Sequence, residues 1–333
     1  MLLFLLLSTV VAFDCMDELG KPVDSWLAIK KPKGTSYFYY DYNTNFSLSL
    51  NSLNDTTRGA LSYTIKQLWE SDANYVIYND QVPIYNINHA TKFGHTKGFF
   101  AFDKTNGFWI THSIPLFPIG PIYTDKYIGI GSNAFTYAQN LLCLSISVDT
   151  LDSMAYMFQY NRPSIYDSKL TTDKYTNIKN LIDSHFFTVK LCESSIFTTK
   201  NGMNFKLYSK TAEWDNDLYA GCVTPTEKDI LLVESWIRGS AEGPSCPISD
   251  YDTLDIKYLD FGIEGSWSET HDHSKWAITS NKNIICMGDI NRMTTQYSRG
   301  GGTVCFANDY MHNVLKKAVT KTDSCILTPS LFL

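Results

Sequence analysis

Residues 95–113 read HTKGFFAFDKTNGFWITHS, and this stretch carries the strongest fold signal in the chain. Two aromatic-rich runs flank the dipeptide Asn106-Gly107, an arrangement typical of a β-hairpin. The returning strand of such a hairpin brings His112 back near Lys97, while His95 and Lys97 face the same side of an extended segment. The stretch therefore predicts a hairpin with imidazole and ammonium groups gathered at one end.

A degenerate copy of this pattern occurs near the other end of the chain, where residues 273–292 read HSKWAITSNKNIICMGDINR. Each copy consists of an H-x-K motif, a strand, a polar turn, a second strand and a polar side chain, in that order. The first copy needs 17 residues from His95 to His112, and the second needs 18 from His273 to Asn291. The match predicts an internal duplication rather than a solenoid repeat.

Strand and helix signals interleave along the rest of the chain, which favours an α/β or α+β fold. Apolar spacing predicts helices at Arg58–Trp69, Ser132–Cys143, Thr150–Tyr160, Thr172–Ser184 and Asn308–Lys321. β-Branched and aromatic runs predict strands at Tyr75–Tyr78, Gly98–Phe102, Phe108–His112, Asn204–Ser209, Ile230–Arg238, Lys275–Ser280 and Ile284–Met287. The run Ile230–Arg238 is ambiguous, because Thr224–Glu227 also fits a capping box that starts a helix, and we favour the strand.

Two imidazoles and two ammonium groups suit metal-free phosphodiester cleavage. One histidine attacks phosphorus and carries a covalent phosphohistidine, while the other protonates the leaving oxygen and then deprotonates water. Lys97 and Lys275 neutralise the non-bridging oxygens, and His112 and Asn291 supply further hydrogen bonds. No cofactor is needed for this chemistry.

Two other motifs offer alternatives. His271-Asp272-His273 has the spacing of a metal site on a strand, although no third ligand position follows the same logic. The stretch from Arg299 to Thr303 reads RGGGT and is a candidate phosphate-cradling loop. It lacks the P-loop pattern, so a turn beside Cys305 is the favoured interpretation.

The charge balance restricts the substrate class. The chain has 333 residues, with 28 Lys and Arg against 34 Asp and Glu, which gives a net charge of -6 at pH 7. That is not the basic footprint of a nucleic-acid-binding protein at neutral pH. Protonation of all 7 histidines brings the sum from -6 to +1, so a polyanionic substrate fits acid conditions better.

The N-terminal residues indicate entry into the secretory pathway. Met1–Ala12 reads MLLFLLLSTVVA, which is too short to span a bilayer and fits a signal peptide. No later stretch approaches 18 apolar residues, so no membrane anchor is expected. The 8 cysteines form no CxxC motif and predict up to four disulfides. Sequons at Asn45 and Asn54 predict glycosylation of a polar surface loop.

Several stretches, in order along nearly the whole mature chain, resemble the deoxyribonuclease II family, which is related to the phospholipase D superfamily. These are residues 95–98, 107–118, 137–143, 217–221, 269–276, 288–292 and 299–305, which include HTKG, GFWITHSIP, YAQNLLC, DLYAG, ETHDHSKW and GDINR.

The resemblance implies an α/β/α sandwich of two pseudo-symmetric phospholipase-D-like halves that share one active site, here residues 13–165 and 166–333. It also implies endonucleolytic DNA cleavage at acid pH without a divalent metal, leaving 3′-phosphate ends. Carried over by motif, the catalytic residues are His95 with Lys97 and His273 with Lys275. We assign His95 as the nucleophile and His273 as the acid.

The resemblance further implies the disulfides Cys15–Cys143, Cys246–Cys325 and Cys286–Cys305. Cys192 and Cys222 then remain, and we predict that they pair with each other.

DNA is expected to bind mainly through its phosphate backbone, in a basic groove that includes Lys97, Lys275, Arg292, Arg299 and the histidines. The expected location is a lysosome or the extracellular space. Alternative functions are a catalytically silent secreted protein that binds DNA or another partner, and an enzyme that acts on lipid headgroups. The sequence leaves the oligomeric state open.

Overall fold

The structure is a computed structural model that describes residues 13–84, 87–88, 92–237, 239, 241–248 and 250–325. The predicted signal peptide, Met1–Ala12, lies outside the described residues, as does Arg238 at the end of one predicted strand.

Strands account for most of the regular structure. The first half of the chain contains β1 (Cys15–Met16), β2 (Pro22–Val23), β3 (Ser25–Lys30), β4 (Tyr37–Asp41), β5 (Ser47–Leu48), β6 (Asn74–Asn79), β7 (Gln81–Val82), β8 (Ile87–Asn88), β9 (Lys97–Phe102), β10 (Asn106–His112), β11 (Gln139–Ser147) and β12 (Ile165–Lys169). The second half contains β13 (Cys192–Thr198), β14 (Asn204–Lys210), β15 (Leu231–Glu234), β16 (Thr253–Asp260), β17 (Ser266–Ser268), β18 (Trp276–Thr279), β19 (Ile284–Gly288), β20 (Gly301–Ala307) and β21 (Val319–Thr322).

Helices are fewer and mostly short. The α-helices are α1 (Ala60–Ile65), α2 (Val148–Asn161), α3 (Thr176–Ile182), α4 (Thr224–Glu227) and α5 (Asp309–Ala318). Short 3₁₀ helices lie at Lys66–Trp69, Ser132–Ala134, Ala212–Trp214, Gly262–Glu264, Glu269–His271 and Thr294–Gln296. A short segment of π-helix lies at Tyr219–Val223.

Two large sheets organise the molecule. The first has eight strands in the order β12-β6-β9-β10-β11-β3-β4-β5, and the second has nine, in the order β13-β14-β20-β19-β18-β15-β16-β17 with β21 paired to β16. The first sheet takes its strands from Ser25 to Lys169 and the second from Cys192 to Thr322. The predicted boundary at residues 165 and 166 falls inside β12.

The quoted hairpin and its copy occupy equivalent places in the two sheets. β9 and β10 pair antiparallel with Thr111 opposite Gly98 and Gly107 opposite Phe102, as the sequence predicted. β18 and β19 pair in the same way, with Trp276 opposite Met287. On the side away from its hairpin partner, β9 pairs with β6, and β18 pairs with β15. The architecture is mixed α/β, as expected.

Helices cover both faces of these sheets. The largest apolar cluster lies between the sheets and includes Leu151 and Phe158 of α2 and Met311 and Leu315 of α5. α2 begins where the Ser147 side chain accepts a hydrogen bond from the main-chain N–H of Thr150, and its apolar residues recur at helical spacing. Outer clusters pack α1 on the first sheet and the turn at Tyr219–Val223 on the second.

Four predicted helices are confirmed, with shorter or shifted bounds, and one is wrong. Ser132–Cys143 contains only the 3₁₀ turn before β11 begins at Gln139. Most of β11 is buried, so its apolar residues do not alternate, and a short continuous apolar run does not distinguish a strand from a helix. After α5, the chain leaves the helix at Val319 and continues as β21.

The chain forms the disulfides Cys15–Cys143, Cys192–Cys222, Cys246–Cys325 and Cys286–Cys305, which are the four predicted pairs. Within the described residues, no helix combines the length and the apolar composition that a membrane span requires.

Candidate active site

The two H-x-K segments meet in one cleft of about 300 Å³, at the ends of β9 and β18. The cleft is lined by side chains from both sheets, among them His95, Lys97, His273, Lys275, Asn291 and Arg299. The structure therefore brings together both predicted His–Lys pairs, the predicted asparagine and one arginine that the sequence placed in the groove.

Each of the two predicted catalytic lysines is held at its main chain by a side chain that the other half of the chain supplies, as the next two contacts show. The Lys275 N–H donates to Oδ1 of Asn140, at 2.8 Å. In the reciprocal contact, the Lys97 N–H donates to Oδ2 of Asp289, at 3.3 Å. Asn140 belongs to β11 of the first sheet, while Asp289 follows β19 of the second. These contacts fix the position of the two halves of the cleft relative to one another.

His95 is held by the second half of the chain at both its main chain and its ring. Its N–H donates to the Gly300 carbonyl at 2.9 Å, and its Nδ1 lies 2.8 Å from Oε1 of Gln296. Gly94 permits the close approach, since a Cβ there would lie 1.9 Å from the Asn161 carbonyl oxygen. An amide oxygen can only accept, so Nδ1 carries the proton and Nε2 keeps its lone pair.

Burial and the charge of Lys97 hold the pKa of His95 well below its usual value, with smaller contributions from Arg299 and Lys275. The charge of Asp80 opposes this shift but does not cancel it. The direction of this shift favours the neutral imidazole, in which Nε2 is available.

A buried carboxylate, Asp80, joins two of the cationic groups. Its Oδ1 accepts from Lys97 Nζ, and its Oδ2 accepts from an Arg299 terminal nitrogen at 2.8 Å. Burial alone would raise the pKa of Asp80, but the charges of Lys97, His95 and Arg299 outweigh burial and hold it well below the usual range. Asp80 thus stays ionised and both of its oxygens are engaged.

Unlike Lys97, Lys275 has no carboxylate partner at its ammonium group among the described residues. Its Nζ donates to the His273 carbonyl at 2.5 Å. Burial and then the charge of Lys97 lower the pKa of Lys275 to about 7, against the opposing charges of Asp80, Asp272 and Asp289. The amine is thus charged at acid pH and loses its proton near neutrality.

The imidazole of His273 packs against two aromatic rings. Tyr137 stacks on it with ring centroids 3.9 Å apart and an angle of 8° between the planes. The Trp236 ring centroid lies 4.1 Å away at an angle of 42°. The electron-rich faces of such rings attract a cation, so this setting suits an imidazolium that donates a proton.

The predicted supporting residues Asn291 and His112 differ in their placement. Asn291 lines the cleft, is 5% exposed, and its Oδ1 has no hydrogen-bond partner within the described structure. His112 is fully buried on β10 and does not line the cleft. Its Nδ1 accepts from the Ile114 N–H, and burial followed by the charges of Lys97 and Lys275 lowers its pKa well below the usual value.

The expected role of Arg292 in binding phosphate is not supported by its position. The guanidinium is buried and lies outside the cleft, where it pairs with Asp255 at 2.8 Å and with Asp217 at 3.3 Å. It also donates to the Gly243 carbonyl and to Ser245 Oγ. Its donors are engaged within the protein, so Arg292 stabilises the loops behind the site.

The two alternative motifs do not assemble as ligand sites. Asp272 is buried, and its carboxylate accepts from Trp267 Nε1 and from the Ser274 N–H, each at 2.7 Å. His271, Asp272 and His273 do not converge on one point in the described structure. In the glycine stretch, β20 begins at Gly301, so the turn favoured from the sequence is wrong there.

Sequence reasoning missed four residues of the site, namely Asp80, Gln296, Tyr137 and Trp236. Asp80 follows the strand that pairs with β9, so its position at a strand end was a usable signal. Gln296 lies 201 residues from His95, and no local pattern connects them.

The family model for deoxyribonuclease II matches residues 14–325. Similar proteins include deoxyribonuclease-2 of Caenorhabditis elegans, which is 32% identical with 97% of each chain covered. Deoxyribonuclease-2-beta of Rattus norvegicus is 30% identical, again with 97% of each chain covered. A putative deoxyribonuclease-2 of Burkholderia pseudomallei is 34% identical over 94% of this chain and 93% of its own.

Proposed function

The chain belongs to the deoxyribonuclease II family of DNA-cleaving hydrolases, and from that premise we propose that it is an acid endonuclease that cuts phosphodiester bonds without a divalent metal. The observation that carries the proposal is the meeting of both His–Lys pairs in a single cleft. The covalent intermediate and the 3′-phosphate ends described below are part of the same proposal.

In the first step, Nε2 of His95 attacks phosphorus and the bond from phosphorus to the 5′ oxygen breaks. The imidazolium of His273 gives its proton to that oxygen, so the downstream fragment leaves with a 5′-hydroxyl, and the upstream fragment stays bound to His95 through the phosphorus on its 3′ oxygen. In the second step, neutral His273 takes a proton from water as the water attacks phosphorus. The N–P bond breaks, and the upstream fragment leaves with a 3′-phosphate.

The cationic side chains supply the charge neutralisation that a metal ion would otherwise provide. Lys97, Lys275 and Arg299 line the cleft together, and Asn291 offers its amide N–H₂ to a non-bridging oxygen. Asp80 is the one carboxylate among the described residues that line the cleft, and two cations already occupy its oxygens. His112 is buried behind the cleft, where the charges of Lys97 and Lys275 lower its pKa.

The test is cleavage of supercoiled plasmid at pH 5 and pH 7.5, each with and without EDTA. We expect nicking at pH 5 that EDTA leaves unchanged, with 3′-phosphate ends. His95→Ala and His273→Ala should each abolish it, whereas His185→Ala, at an exposed position on the surface, should not. Inhibition by EDTA would overturn the metal-free mechanism. Absence of cleavage under every condition, from a folded and oxidised protein, would favour a silent DNA- or partner-binding protein.

The protein acts in the secretory pathway, in a lysosome or outside the cell. The four disulfides support this, because such bonds persist in oxidising compartments. Both Asn45 and Asn54 are proposed to carry glycans. Asn45 is exposed, whereas Asn54 is half-buried with its Oδ1 buried, so Asn45 is the better acceptor.

A further inference from the structure

A second basic pocket lies beside the active-site cleft. We propose that it binds a backbone phosphate that neighbours the scissile phosphate on the same DNA strand. The proposal rests on the proposed function and extends it to a substrate contact outside the cleft. The flanking pocket has a volume of about 330 Å³ and is lined by Lys31, Lys33, Tyr258, Ser266, Ser268 and His271, among others.

The charge of the flanking pocket suits an anion. Three of its lining residues are basic types and, within the described structure, none is acidic. Neither Lys31 nor Lys33 forms an ion pair with a carboxylate of the described chain, and Lys31 Nζ lies 5.9 Å from the centroid of the Phe38 ring. Glu264, Glu269 and Asp272 each adjoin a lining residue in sequence, and none of them lines the pocket. Among the described residues, no carboxylate therefore competes with a ligand for the two ammonium groups.

Tyr258, Ser266 and Ser268 add hydroxyl groups, which are uncharged hydrogen-bond donors, to the lining of the pocket. The Tyr258 hydroxyl lies 3.0 Å from Ser266 Oγ, and Ser268 Oγ lies 3.2 Å from Nδ1 of His271. Ammonium and hydroxyl groups are the donors that proteins commonly use to hold the DNA backbone without reading its sequence.

The wall that carries the lysines is held by hydrogen bonds. The Lys33 N–H donates to the Thr136 carbonyl at 3.1 Å, and the Gly34 N–H donates to the Phe135 carbonyl at 2.8 Å. Beneath them, Nζ of buried Lys30 donates to the Lys31 and Gly34 carbonyls at 2.7 and 2.9 Å. The turn therefore presents Lys31 and Lys33 from a fixed main chain.

The chain geometry places the flanking pocket on the same side as the cleft. Asp272, between His271 and His273, has extended dihedral angles of φ -121° and ψ 126°. Side chains two residues apart on an extended segment face the same way, and the segment advances about 7 Å over that step. That distance is on the scale of one nucleotide of an extended strand. A strand with its scissile phosphate at His273 thus brings a neighbouring phosphate to His271 and the two lysines.

The test compares a substrate that reaches the flanking pocket with one that does not. A dinucleotide has a single phosphate, which occupies the cleft, whereas a 20-nucleotide strand also fills neighbouring positions. The variant Lys31→Gln/Lys33→Gln should raise KM for the long strand about tenfold at low salt, with kcat little changed. It should leave the dinucleotide kinetics unaltered. The dependence of log KM on log salt for the long strand should fall in slope by about 2.

A charge-matched control separates the flanking pocket from a general effect of net charge. Lys190→Gln/Lys317→Gln removes the same charge at exposed positions. Equal KM changes in both double variants, or equal losses on both substrates, would overturn the proposal. If the wild type cleaves neither substrate, the proposed function fails. The affinity for the 20-nucleotide strand, measured by fluorescence anisotropy at pH 5, then still decides whether the pocket binds DNA.

Discussion

Nδ1 of His95 donates to Oε1 of Gln296 across 2.8 Å, so the proposed nucleophile is oriented by a neutral amide from the opposite half of the chain. A carboxylate at this position would stabilise the imidazolium and raise the pKa of the histidine. The amide fixes the same ring orientation and tautomer without adding negative charge. An enzyme that works in acid benefits, because its nucleophile must stay unprotonated there.

Gln296→Glu should therefore move the pH profile toward neutrality. The new carboxylate adds an attractive charge beside His95 to the existing field of Lys97, Asp80, Arg299 and Lys275. A higher pKa of His95 protonates the nucleophile at low pH, so we expect kcat at pH 5 to fall by roughly tenfold or more. Part of the loss should be recovered near pH 6.5. The measurement is kcat against pH on a 20-nucleotide strand.

Gln296→Met provides the control, since it removes the hydrogen bond without adding charge. It should lower kcat by a similar factor at every pH and leave the shape of the profile unchanged. An unshifted profile for Gln296→Glu would show that the amide has only a packing role.

The alkaline limit of activity should follow Lys275. Burial and the charge of Lys97 lower the pKa of Lys275 to about 7, so its ammonium is present at pH 5 and lost as the pH rises through neutrality. Wild-type kcat should decline above about pH 7, because Lys275 then loses the positive charge that stabilises the bound phosphate. Lys275→Arg carries a guanidinium that does not titrate in this range. Its kcat at pH 5 should be lower because the geometry changes, but its decline near pH 7 should be less steep than that of the wild type, because only the requirement for a protonated His273 then remains.

The sequence predicted the parts of this site that local pattern encodes. H-x-K followed by an aromatic strand and a polar turn is visible within about twenty residues, and both hairpins formed as expected. The contacts that tune these groups join distant segments. Gln296 reaches His95, Asn140 reaches Lys275, and Asp289 reaches Lys97 only because the two sheets pack together.

Arg292 illustrates the same limit. We placed it in the expected DNA groove from the sequence, which does not show where its guanidinium points. Asn291 lines the cleft, whereas the guanidinium of Arg292 turns away to Asp217 and Asp255.

Arg292→Gln should consequently affect stability rather than catalysis. Removing the guanidinium leaves the buried carboxylates of Asp217 and Asp255 without their partner, a change that typically costs about 3–5 kcal/mol. We expect a clear loss of Tm in thermal unfolding at pH 5, while KM for DNA in the folded fraction stays near wild type. Asn291→Ala should give the opposite result, with reduced kcat and little change in Tm. A raised KM in a stable Arg292→Gln protein would return this arginine to the DNA groove.

Asp289 should make the fold more stable in acid than at neutral pH. Burial raises the pKa of Asp289 to about 7, although the Gly302 N–H and the charge of Lys97 oppose the shift. In the unfolded chain an aspartate titrates near 4, so between about pH 4 and pH 7 the native state binds a proton that the unfolded state releases. The resulting stability is present at low pH and is lost as the pH rises through that window.

Asp289→Asn removes this titration, although it also weakens one of the two N–H contacts at every pH. The informative quantity is therefore the change in Tm between pH 7.5 and pH 4.5 rather than either value alone. When the pH is lowered from 7.5 to 4.5, we expect the Tm of the wild type to gain roughly 5 °C relative to the Tm of Asp289→Asn. Asp173→Asn, at a carboxylate that is 87% exposed, should give a curve parallel to the wild type. If the Tm of Asp289→Asn also varies with pH in parallel with the wild type, then Asp289 is ionised in the native state throughout this range. The Lys97 N–H then donates to a carboxylate in acid as well as at neutral pH.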